Sequence, residues 1–280
     1  MQSNNPVFRR SEEFNRTGQT YAGYGAPSTW STGGGEPGAG YGMPQPPAQT
    51  PRMTIDSVVQ TTAISLGVVI LTALATWVLT PEVTADTAAS DIAPLITAVT
   101  IGSLGAFALS LVNSFKKVIS PALVLAFCAL EGVALGGISK LFNLAYGDGV
   151  VQGAVIGTFA AFGGTLAVYK FFNIKVGAKF QRMVMAAVLG MVGLALMEMV
   201  LGLFGSQIGL FGVSGLGMIT AFAGLILGVF MLIMDFDFVE KGIANGLPQS
   251  ESWRASFAMT VSLVWIYTNL LRILAFFSDN

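Results

Sequence analysis

Histidine is absent from the 280 residues, which removes His-liganded zinc, Ser-His-Asp hydrolysis and histidine-based pH switching together. Cysteine occurs once, as Cys128, so no disulfide can form within the chain, and its place inside an apolar run suits a small packing group. Charge is scarce as well: Asp, Glu, Lys and Arg make up 10% of the residues, against about 25% in a soluble domain. With a net charge of −1 and no basic cluster interleaved with aromatics, nothing in the composition points to nucleic acid.

Apolar sequence is plentiful. A hydrocarbon core about 30 Å thick needs roughly 20 apolar residues in an α-helix, and seven runs of that order fill the chain, at Val58–Leu79, Ala93–Val112, Ile119–Phe142, Val150–Phe172, Met183–Phe204, Val213–Met234 and Ala255–Phe277. The runs are continuous, as in TAISLGVVILTALATWVL, and lack the two-residue alternation of a membrane barrel. The fold class that follows is an all-α integral membrane protein of seven transmembrane helices, forming one domain over residues 53–280. Short gaps make successive spans antiparallel neighbours. Glycines four apart, at Gly132/Gly136, Gly153/Gly157 and Gly224/Gly228, predict close helix approaches. The lipid bilayer is thus the first partner of the chain.

Residues 1–52 are different in kind, rich in Gly, Pro, Ser and Tyr, as in YAGYGAPSTWSTGGGEPGAGYGMPQPPAQTP. Such a segment buries too little apolar surface to offset its ordering entropy, and it is expected to be a disordered tail, with docking to a membrane-protein partner as its less favoured role. Cations gather before the first span (Arg9, Arg10, Arg16, Arg52), after the second (Lys116, Lys117), around the fourth-to-fifth gap (Lys170, Lys175, Lys179, Arg182) and between the sixth and seventh (Lys241, Arg254). The alternate gaps carry Glu82, Asp86, Asp91 and Asp148, with Lys140 as the exception. The positive-inside rule then puts the N-terminus in the cytoplasm and the C-terminus outside.

Ionisable groups within hydrocarbon cost about 2.5 to 3.5 kcal/mol each on insertion scales and tend to face a cavity or a partner. Glu131, in SPALVLAFCALEGVALGGIS, lies about 18 Å from the cytoplasmic end at 1.5 Å per residue, so its carboxyl must be neutral or paired. Glu198 sits nearer the outer face of the fifth span. Asp235, Asp237 and Glu240 close the sixth at its cytoplasmic end, where acids oppose the helix macrodipole. Asp235 and Asp237 are about 200° apart on a helix and point to different sites where the helix continues past them, and Lys241 follows Asp237 at i+4. Arg272, inside the seventh span, either snorkels outward or pairs with Glu198.

Four stretches, NPVFRR, NSFKKVISPALVLAFCALEGVALGGIS, LIMDFDFVEKGIANG and ESWRASFAMTVSLVWIYTNLLRIL, resemble the Bax inhibitor-1 (transmembrane Bax inhibitor motif) family in its bacterial, YccA-like branch. The resemblance covers the chain after its tail. It implies six helices around a central seventh, residence in the bacterial cytoplasmic membrane, and a pH-sensitive calcium leak. In such relatives an aspartate on the sixth helix pairs with one on the seventh and their shared protonation gates the pore, as two carboxylates titrating together would. Asp235 matches the first position. The second falls near Ser262, and no acid occurs between Ala255 and Phe277, so the chain departs from the two-aspartate pattern. The expectation is that Asp235 remains the gate, with Asp237 or Glu131 as second carboxyl and Ser262 as a hydroxyl partner.

Calcium is the expected transported ion and no cofactor is expected. A non-conducting adaptor that regulates a protease or stress complex, and a proton-coupled transporter using Glu131, are the competing functions. Catalysis is not expected: the VSG at Val213–Gly215 has no histidine base in the chain, YGDG at Tyr146–Gly149 lies in a gap, and Asp235 has no acidic partner on the seventh span.

Overall fold

The computed structural model describes residues 51–82, 89–172, 174–206 and 208–278; the tail expected over residues 1–52 lies outside them except for Pro51 and Arg52. Among the described residues there are seven helices, α1 (Ile55–Leu79), α2 (Ala89–Phe115), α3 (Pro121–Tyr146), α4 (Asp148–Phe171), α5 (Ala178–Leu203), α6 (Gly215–Ala244) and α7 (Glu251–Ser278), each long and apolar enough to cross a membrane. Large apolar side chains cover the outside, with Leu79, Leu203 and Ile219 more than half exposed, as suits a surface bathed in hydrocarbon.

Helix ends follow local chemistry. Thr54 and Ser57 form a reciprocal capping box at the start of α1. Pro121 opens α3, where its missing N–H costs nothing. Lys140, the cation out of place in the sequence, is buried and donates to the Trp77 and Thr80 carbonyls, both at 2.8 Å, closing the C-terminus of α1. Its charge meets the negative end of the α1 dipole.

The helices run further than hydropathy suggested, and in α6 and α7 the extension takes charged residues into the helix. Expected to finish at Met234, α6 continues to Ala244, which leaves Asp235 about two and a half turns from its end. The expected macrodipole conflict therefore does not arise there. Expected to start at Ala255, α7 begins at Glu251 and takes Arg254 inside the bundle, where it is fully buried, bonds Glu251 at 2.7 Å and donates to the Lys117 carbonyl at 2.8 Å. Hydropathy treats such charges as boundaries because it cannot see their partners.

Helix α7 is the hub. It packs lengthwise on α1, α3, α4 and α6, while α2 reaches it through the Ala106–Phe257 cluster and α5 through the cluster holding Val184 and Trp265. A polar seam joins α7 to α1: Ser57 and Ser252 hydroxyls lie 2.7 Å apart, and Ser256 donates to the Thr61 carbonyl at 3.0 Å and to Ser65 Oγ at 2.7 Å. The chain before α1 also pairs with the α6–α7 connection, through Met53 N–H to the Leu247 carbonyl and Gln249 N–H to the Pro51 carbonyl, both 2.7 Å.

The glycine pairs sit at contacts. Gly132 and Gly136 press on Val69, Thr72 and Ala73 of α1, and Gly153 and Gly157 receive Leu274 and Leu270 of α7. A Cβ at Gly132 would overlap the Val69 backbone, which a rotamer change cannot relieve. Gly132→Ala is expected to destabilise the bundle by about 1–3 kcal/mol, read as a lower midpoint in detergent unfolding followed by tryptophan fluorescence, whereas Gly190→Ala, with open space around it, is expected to leave the midpoint in place.

Candidate functional site

Asp235 is buried in the middle of the bundle, 5% exposed. Its carboxylate accepts a 2.6 Å hydrogen bond from the Ser262 hydroxyl of α7. The packing that holds this contact comes from the same two helices: Gly228 admits Ile266 and the edge of Trp265, and the Trp265 indole donates to the Gly224 carbonyl at 2.8 Å. Close approach at these glycines brings Asp235 and Ser262 within hydrogen-bonding reach.

The pair opens onto a cavity of about 270 Å³ bounded by α2, α5, α6 and α7. Its polar lining is Ser110 and Ser114 of α2 together with Asp235 and Ser262, and Val184, Val188 and Met231 supply apolar wall. Helices α2 and α5 flank it without packing extensively on each other, since α2 lies mainly on α3 and α5 on α6. The cavity therefore has a side that only these loosely joined helices close.

The expected second carboxyl is not at this site. Asp237 turns away as the helical angle requires and pairs with Lys241 at 2.6 Å, and that ammonium also donates to the Val176 carbonyl at 3.3 Å. Glu131 lies on the face of α3 that also carries Phe127, Cys128 and Leu135, which pack with Phe257 of α7. It is half-buried and makes no hydrogen bond or ion pair among the described residues. Neither acid bonds Asp235, whose side-chain partner is the Ser262 hydroxyl. Glu240 completes the same end of α6 by accepting the Tyr169 hydroxyl of α4 at 2.5 Å.

At the opposite end, Arg272 neither snorkels nor pairs with Glu198. Its Nη2 donates to the carbonyls of Leu210 at 2.9 Å and Gly217 at 2.7 Å and to the Thr220 hydroxyl at 2.8 Å, and the guanidinium lies over the Phe211 ring. Glu198 instead accepts the Gly209 N–H at 2.6 Å. The two charges thus hold the α5–α6 connection from either side. Neither of the two expected outcomes, snorkelling or direct pairing, holds, because the intervening backbone, with Gly205 and Gly209 at positive φ, supplies partners that have no hydropathy signature.

Ser110 and Ser114 carry no signal in the sequence, being ordinary hydroxyls in an apolar run that only the packing of α2 across the cavity singles out. Chemically, one carboxylate and three hydroxyls set in an otherwise apolar lining supply oxygen groups of the kind a hard cation takes as ligands.

A model of the family described as Bax inhibitor 1 like matches residues 5–279. A search of curated proteins finds no match.

Removing the Ser262 hydroxyl leaves a buried acceptor unpaired, a cost of about 1–3 kcal/mol. Ser262→Ala is expected to lower the thermal midpoint in detergent. Asp235→Ala combined with Ser262→Ala is expected to cost less than the sum of the single changes, which a double-mutant cycle measures; strict additivity would mean that the two side chains do not interact.

Proposed function

The chain belongs to the Bax inhibitor 1 like family, and on that premise we propose that it is a pH-sensitive cation leak channel of a bacterial cytoplasmic membrane, with calcium as the transported ion and Asp235 at the gate. The observation that carries this reading is a buried carboxyl on α6, hydrogen-bonded to α7 and lining a hydroxyl-bearing cavity between helices that barely touch.

The mechanism follows from what the carboxyl does in each protonation state. Protonated, it is neutral, and with the Ser262 contact made, α6 and α7 close over an apolar interior that excludes ions. Ionised, it carries a charge whose burial is costly unless water or a cation joins it. Hydration then enters from the cavity, loosens the contact between α6 and α7, and gives a hard cation one carboxylate and several hydroxyls to exchange for part of its water shell. A single charge binds such an ion weakly enough to release it, as conduction demands. Flux accordingly rises as pH rises. The basic residues place the N-terminus on the cytoplasmic side and the C-terminus outside in this reading, and no step calls for a cofactor or for enzymatic chemistry.

Calcium flux into liposomes holding the purified protein, followed from about pH 5 to pH 8, tests the assignment. The wild type is expected to conduct more at higher pH, by at most about tenfold per pH unit for one titrating proton. Asp235→Asn is expected to lose that dependence, and Glu131→Gln to keep it. A wild-type profile retained by Asp235→Asn would remove Asp235 from the gate. Absence of flux above empty liposomes at every pH would favour the non-conducting adaptor, and dependence on an imposed proton gradient would favour a coupled transporter.

A further inference from the structure

A second cavity, of about 320 Å³, lies on the other side of α7, enclosed by α1, α3, α4 and α7. Its walls are apolar, with Leu66, Ile70, Leu74, Val155, Phe159 and Leu263 among them. The hydroxyls that reach it are all engaged: Ser139 with the Leu135 carbonyl and the Tyr267 hydroxyl, each at 2.6 Å, and Thr158 with the Ala154 carbonyl at 2.7 Å. Water needs two to four polar partners to occupy a buried space, and apolar cavities without them stay dry. The occupant must therefore be apolar.

The cavity also has a way in. Helices α1 and α4 flank it without packing extensively on one another, and Leu74 and Val155 belong both to its lining and to the exposed apolar surface, at 57% and 41% exposure. The opening thus faces the zone that the seven spans place in hydrocarbon, where the molecules at hand are lipid chains.

We propose that this cavity is a binding site for one acyl chain of a bilayer phospholipid, which enters between α1 and α4 and lies along α7. Continuity with the lipid-facing surface supplies the ligand, and the internally satisfied hydroxyls select a hydrocarbon chain over water or a headgroup. The site stands apart from the Asp235 cavity, yet the two share a wall: Ser262 lines one and the next residue, Leu263, lines the other.

Trp77 lines the site and reports on it. The fluorescence of the protein in vesicles of phosphatidylcholine, with a rising fraction brominated on the acyl chain, is compared with that of Trp77→Phe to isolate the Trp77 signal. Quenching of that signal is expected to saturate at a low brominated fraction. Val155→Phe, which fills the opening, and Val151→Phe, which narrows the same wall about one turn away, are each expected to reduce quenching at least severalfold while the unfolding midpoint in detergent confirms a folded protein. Quenching that rises in proportion to the brominated fraction and is unchanged in whichever of the two variants is folded would mean that only surface lipid reaches Trp77, and would overturn the site. Occupancy is read without any ion flux, so failure here leaves the leak reading intact and failure of the leak leaves the lipid site intact.

Discussion

A helix that carries Ser252, Ser256, Thr260, Ser262, Asn269 and Arg272 cannot face hydrocarbon, and the architecture follows from hiding it. Each polar group exposed to lipid would forfeit its hydrogen bonds with no water to replace them. Surrounded by its neighbours, α7 finds partners in every direction: the α1 hydroxyls, the Asp235 carboxylate, and the carbonyls around Leu210 and Gly217. Even Asn269 is used, donating to the Trp265 carbonyl at 2.7 Å and filling the space beside Gly224. Without a hydrophobic drive between helices in lipid, such hydrogen bonds and close glycine contacts are what hold the bundle together.

The same requirement explains why the bundle is tight in some places and open in others. Helices α1, α3, α4 and α6 share long contacts with α7 and so have fixed positions. Helices α2 and α5 present apolar faces that lipid solvates as well as protein does, and each rests mainly on one neighbour. Both cavities lie where adjacent helices of the ring fail to meet, α2 with α5 and α1 with α4. One contains the Asp235 carboxyl beside the hydroxyls of Ser110, Ser114 and Ser262, of which Ser110 donates to the Phe107 carbonyl and Ser262 to Asp235 itself, whereas the other contains no ionisable carboxyl and only paired hydroxyls.

The seven spans were legible in the sequence because hydropathy over about 20 residues is set by the bilayer and needs no knowledge of partners. The glycine pairs were legible for a similar reason, since small residues at four-residue spacing make a flat face on one helix alone. What hydropathy missed were polar residues satisfied from far along the chain. Arg254 looked like a loop cation because Lys117 and Glu251 were not known to surround it, and Lys140 looked misplaced because the end of α1 was not known to need a cap. Asp235 and Ser262 were singled out through resemblance to a family; whether Asp237 or Glu131 would join them depended on how far α6 continues and on the rotation of α3 and α7, which no single-helix pattern encodes.

In the gate proposed above, Asp235 has a hydroxyl, Ser262, as its side-chain partner, and a hydroxyl partner gives such a gate a different titration from a second carboxyl. Two close carboxylates titrate as a coupled unit, and their two macroscopic steps span a wide pH range. A lone carboxyl with a hydroxyl partner exchanges one proton, so its response can be no steeper than a single titration. Asp237 is engaged by Lys241, and Glu240 is turned toward Tyr169 of α4, so neither carboxyl joins Asp235. Glu131 can contribute only through a movement of α3 relative to α7, against the edge-on packing of Phe127 on Phe257 at 5.1 Å. In that gate, a response steeper than one proton would require this packing to break, because Phe127 on Phe257 holds α3 against α7 while the Asp235 contact lies between α6 and α7.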